Sequence, residues 1–338
     1  MASSNKIETR YLQEEEYSLW DAFVDQSPEG TIFQKSIWLR PLAKFQHLNF
    51  SIAACFKGGK MIGGLAFTWK KKFGVFPIIQ IPLKTPFFGP VFMSSNTRYR
   101  SKIESQLHTA MNALNDFIFS RYQHFIASFS PATTDIRPYS WNGFETRIRY
   151  TYVGELNSNI QLQENFDSDI RRRIKKAQEL DHEVIMDNSD TYINHAWELE
   201  QQSFKRQHFQ QSGFTKQQFL SFIKTFSGEG SSMVFTMIHE GAPIASVVTV
   251  HEKTRGIAYY WQAGASKDYL STGLNQLLVQ RIIEHYISEG YKKFDLVGAD
   301  TDTIARYKST FNFPLVPMYS VIKSRGMTKF GLMIKKFV

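Results

Sequence analysis

Cysteine is nearly missing from these 338 residues. Cys55 stands alone, which excludes an intrachain disulfide and any metal site built on cysteine. No run approaches the ~20 apolar residues a membrane helix needs, and Met1-Ala2-Ser3-Ser4-Asn5-Lys6 lacks the apolar core of a signal peptide. The expected location is therefore the cytosol, free or against the inner face of the membrane. The nine histidines show no metal-ligand spacing, and neither a Gly-x-Ser-x-Gly elbow nor a His-Glu-x-x-His helix is present. Covalent serine chemistry and a bound metal are not expected. No low-complexity tract occurs, so disorder does not organise the chain.

What is present is apolar material, 42% of residues with 15% aromatic, enough for two ordinary domains. Cys55 lies in the alternating run Ile52-Ala53-Ala54-Cys55-Phe56 and reads as a packing residue. The net charge of +9 biases the protein toward anionic partners: a nucleotide- or lipid-linked phosphate, tRNA, or an acidic membrane face.

The two halves repeat one order of elements. Helices are expected over about 14–25 and 35–45, a hairpin over 50–56 and 61–69 around Gly58-Gly59, and a strand over 75–81. A long helix over 99–122 follows, with Ile103, Leu107, Met111, Leu114 and Ile118 at a period near 3.6, then a strand over 125–129. The second half gives helices over 191–205 and 215–226, a hairpin over 233–238 and 244–251, a strand over 257–263, a helix over 274–288 and a strand over 294–297. The break is expected at 150–165, where Tyr150-Thr151-Tyr152-Val153 reads as a strand and Asn157-Ser158-Asn159 as a linker. Two domains follow, 1–156 and 157–338.

Four strings carry a resemblance. Thr31-Ile32-Phe33-Gln34-Lys35-Ser36-Ile37-Trp38 enters the second helix; Asp135-Ile136-Arg137-Pro138-Tyr139 through Phe144, with Arg149-Tyr150-Thr151-Tyr152, closes the first domain. Arg171-Arg172-Arg173-Ile174-Lys175-Lys176-Ala177 opens the second, and Ile304-Ala305-Arg306-Tyr307-Lys308-Ser309-Thr310-Phe311 ends it. Together they resemble the Fem-type aminoacyltransferases. The resemblance implies an α/β (α+β) chain of two tandem GNAT (acetyltransferase-like) domains, each a mixed sheet flanked by helices. It implies direct transfer of an acyl or aminoacyl group to an amine, with a peptidoglycan precursor among the acceptors. Acyl-CoA or aminoacyl-tRNA would be the donor, with no tightly bound cofactor. The loop that holds coenzyme A in typical GNAT domains corresponds to Leu270-Ser271-Thr272-Gly273-Leu274-Asn275 and keeps only its central glycine. No coiled-coil arm of the kind common in bridge-forming Fem enzymes is visible. Two other readings stay open: a coenzyme A-dependent N-acetyltransferase, and an inert GNAT module that binds a nucleotide or RNA.

Lys308 is the first candidate for catalysis, matching the Fem-type lysine that meets a phosphate or leaving oxygen; a solvent-facing lysine is the alternative. Asp300 follows the strand 294–297 at the carboxyl end where open sheets bind ligands, and it or Asp302 would equally serve to cap the next helix. Tyr260 lies on the opposite face of its strand from Tyr259 and Trp261. Arg172 with Lys176 on one side of the basic helix, Arg206, Trp261, Gly273, Asn275 and Tyr307 complete the candidate substrate-binding set.

Overall fold

The computed structural model describes residues 6–157, 162–207 and 214–325; the linker read at Asn157-Ser158-Asn159 falls partly outside them. The chain forms β1 (Ile7–Tyr11), α1 (Tyr17–Gln26), α2 (Ser36–Phe45), β2 (Asn49–Lys57), β3 (Lys60–Lys72), β4 (Phe76–Ile79), β5 (Val91–Phe92), α3 (Arg100–Phe119), β6 (His124–Ser128), α4 (Arg137–Trp141) and β7 (Glu145–Glu155). It continues through α5 (Leu162–Asn165), α6 (Ser168–Gln178), β8 (Glu183–Met186), α7 (Asp190–Arg206), α8 (Lys216–Gly228), β9 (Ser232–His239) and β10 (Ala242–Glu252). β11 (Ile257–Ala265), α9 (Leu274–Ser288), β12 (Lys293–Asp295), α10 (Asp302–Ser309) and β13 (Leu315–Ser324) follow.

Two compact units result, Met1–Arg149 with Pro317–Val338, and Tyr150–Val316. The order of elements was expected to repeat by halves; we propose that the repeat is real and that each copy is one GNAT-like domain. The last strand joins the first unit because Ser320 to Ser324 pair antiparallel with Ser128 to His124 of β6.

In the first unit the strands run β1-β2-β3-β4-β6-β13, with β5 on β3. The Phe-Gln-Ser and Trp string is structural here. Thr31 and Gln34 form a capping box, Gln34 donates to the Gly89 carbonyl at 3.0 Å, and Trp20 donates to the Gln34 carbonyl at 3.0 Å. Cys55 is fully buried, as a packing residue should be.

In the second unit the order is β7-β12-β11-β10-β9-β8. Helix α9 buries Leu274, Leu277, Leu278, Ile282 and Tyr286 and packs with Phe235, Val247, Ala258 and Phe294 in one core. α8 opens on a Thr215–Gln218 capping box. Gly264 is where α7 crosses β11: a Cβ there would meet Leu199 C and Glu200 N at 2.2 Å.

Candidate functional site

The site forms where two neighbouring strands part. β11 and β12 pair in parallel through Ile257↔Lys293, Ala258↔Phe294 and Tyr259↔Asp295, and there the pairing stops. β11 runs on to Ala265. Its partner turns aside at Val297 and Gly298, both left-handed at φ 51° and 78°, and stays with β7 through Leu296 N–H to Tyr152 O and Ala299 N–H to Tyr150 O. On the far side β11 is bulged: Thr249 faces Tyr260 and Val248 faces Gln262, leaving Trp261 as the extra residue. In the first unit, by contrast, Phe88 exchanges two backbone hydrogen bonds with Ser128 beyond β4 and β6.

Lys308, from α10, reaches this gap. It is 7% exposed, so its side chain is not the solvated one that sequence alone allows. Nζ donates to Val297 O at 2.6 Å and Gly298 O at 2.8 Å and lies 5.8 Å from the Tyr260 ring centre. An ammonium has three donors; two are spent on these carbonyls, and the third is left for a ligand. Burial lowers the Lys308 pKa to about 8, against the attraction of Asp295 and Asp300. Asp295 is the residue sequence reasoning missed. Its Oδ1 accepts from Thr151 Oγ1 and from Val297 N–H at 2.8 Å, Oδ2 has no hydrogen-bond partner among the described residues, and burial raises its pKa to about 6. An acid inside the apolar string Phe294-Asp295-Leu296-Val297 was the available signal.

Tyr260, Tyr307 and Asn275 come together. Asn275 Nδ2 donates to Tyr307 Oη at 2.9 Å, and the Tyr307 and Tyr260 hydroxyls share a hydrogen bond, with burial raising both phenol pKa values. Of the remaining candidates, Asp300 reaches Lys308 through its charge; the others lie apart. Trp261 packs against Phe219 and Phe222 of α8. Arg206 donates to Ala265 O at 3.0 Å and to Ser203, at the end of β11. Arg172 pairs with Asp169 on the exposed side of α6, where Lys176 is also exposed. Asp300 is exposed and accepts from Tyr150 N–H at 3.3 Å; Asp302 pairs with Arg306 rather than capping α10.

Gly273, at φ 88°, caps α9, but a Cβ there would meet the Arg173 carbonyl oxygen at 2.4 Å. Helix α6 thus packs its backbone directly against the turn that opens α9.

A pH profile follows from the buried pair. Above about 8, Lys308 loses its charge, whereas protonation of Asp295 below about 6 leaves the lysine an ammonium. Turnover, plotted as log kcat/KM, is expected to hold level up to about 8 and to fall about tenfold per pH unit above it. Stability moves the opposite way. A raised folded pKa on Asp295 adds stability as pH falls below 6, and a lowered one on Lys308 adds stability as pH rises past 8.

Residues 164–309 match the family model of the acetyltransferase (GNAT) domain. No curated protein matches the sequence. Among solved structures, FemX shares 13% identity over 92% of this chain and 96% of its own, with TM-score 0.69. A tandem GNAT protein from the clavulanic acid biosynthesis pathway shares 10% over 95% and 99%, TM-score 0.56. L-PGS from Bacillus licheniformis shares 10% over 97% of each, TM-score 0.55. The chain has the tandem GNAT fold.

Proposed function

We propose that this chain is an acyltransferase that moves an activated aminoacyl group directly to an amine, in the gap between β11 and β12 of the second unit. The single observation that carries the reading is the buried Lys308 ammonium in that gap, with one donor unspent. An amine attacks the ester carbonyl, the new C–N bond forms as the C–O bond breaks, and the amine proton must reach the departing oxygen. We assign Lys308 to hold the negative charge that develops on oxygen, and the Tyr260 hydroxyl, hydrogen-bonded with Tyr307, to relay the proton. Asp295 favours the charged form of Lys308. We take the donor to be an aminoacyl ester on tRNA rather than acyl-CoA, because the loop from Leu270 to Asn275 keeps only the central glycine of the coenzyme A-binding pattern. The acceptor would carry phosphate, suiting the +9 charge, and a cell-wall peptidoglycan precursor answers that description.

Thermal shift with three ligands tests this. A ligand that binds only the folded state raises its stability, so aminoacyl-tRNA and a UDP-linked muropeptide are expected to raise the melting temperature and acetyl-CoA to leave it unmoved. Stabilisation by acetyl-CoA alone would instead favour the N-acetyltransferase reading.

A further inference from the structure

The hairpin of β3 and β4 ends in Lys70-Lys71-Lys72-Phe73-Gly74-Val75. Phe73 is 74% exposed and Val75 67%, and Lys70 and Lys71 are exposed beside them. The turn is closed by Val75 N–H to Lys72 O at 3.3 Å, with Phe73 and Gly74 both left-handed at φ 53° and 71°. Such turns favour Asn or Gly at the first of these positions; a bulky aromatic there is strained. The fold gains no burial from it: the ring faces solvent and meets the Lys72 ammonium at 5.3 Å. Gln123 donates its N–H to Pro77 O at 2.9 Å and accepts from Arg325 N–H at 2.8 Å, so the chain leaves the described residues beside the hairpin's return strand. The sequence beyond, 326–338, sets Lys329, Lys335 and Lys336 among Met327, Phe330, Leu332, Met333, Ile334 and Phe337.

We infer that the β3–β4 tip docks this protein on an anionic lipid bilayer, with Phe73 and Val75 entering the acyl boundary and Lys70, Lys71 and Lys72 meeting the headgroup phosphates. Apolar side chains ringed by ammonium groups fit that interface; RNA would satisfy the lysines and leave Val75 nothing to bury against. The inference stands apart from the acyl-transfer reading.

Co-sedimentation of the full chain with vesicles tests it. Binding is expected to vesicles of equimolar phosphatidylglycerol and phosphatidylcholine, and not to phosphatidylcholine alone. The double variant Phe73→Ser, Val75→Ser is expected to weaken partitioning roughly tenfold or more, and Lys70→Gln, Lys71→Gln roughly fivefold per charge, with unchanged melting temperatures because these positions are exposed. A solvatochromic dye on Phe73→Cys should shift to the blue on the anionic vesicles. The inference is overturned if the serine variant binds as the parent does, if neutral vesicles bind equally, if RNA alone is bound, or if only deletion of 326–338 abolishes binding.

Discussion

Lys308→Met is expected to lower kcat/KM for transfer by roughly 10²–10³-fold, the usual cost of losing one preorganised donor to a developing oxyanion. Folding should hardly change. Methionine keeps the buried methylenes, and the substitution removes a charge that burial disfavours, so the loss of the bonds to Val297 and Gly298 carbonyls is offset. The melting temperature is predicted to move by about 5 °C or less. Assay of transfer beside calorimetry checks both halves; a variant that unfolds would make Lys308 a structural residue, and one that turns over normally would remove it from the chemistry.

Gly264→Ala is expected to do the reverse. A Cβ at 2.2 Å from the α7 backbone cannot be accommodated by a side-chain rotation, since its neighbours are Leu199 C and O and Glu200 N. The helix must move, at a cost of about 3 kcal/mol or more, and urea unfolding should show the midpoint falling accordingly. Because α7 also carries Ser203 and Arg206 to the end of β11, whatever activity survives should be reduced too. An unchanged midpoint would mean that α7 and β11 do not cross as closely as described.

The sequence made the element order readable because each element carries its own period. α9 is the plainest case: the stretch 274–288 was expected as a helix and is one, since Leu277, Leu278, Ile282 and Tyr286 mark one face. The strand expected over 294–297 ends at Asp295, because the left-handed Val297 turns the chain, and φ at a valine has no sequence signature. The placement of β13 beside β6 was equally invisible, being a pairing across 192 or more residues of chain that no local pattern encodes. Within the site, Tyr260, Tyr307, Asn275 and Lys308 were singled out and lie together, whereas Arg172 and Lys176 sit on the exposed side of α6. A helix whose basic residues go all round does not say which of them faces a ligand. Asp295 escaped notice because an acid within a strand reads as an edge or turn residue until burial is known.

The central claim is that the parted strands β11 and β12 receive the activated carbonyl beside Lys308. A crystal structure with a non-hydrolysable aminoacyl-ester analogue of the tRNA 3′ end tests it most directly. The account predicts its carbonyl between Tyr260 and Gly298, within hydrogen-bond reach of Lys308 Nζ. An analogue bound elsewhere, with Tyr260–Ala265 hydrogen-bonded to the 296–299 backbone, would contradict it.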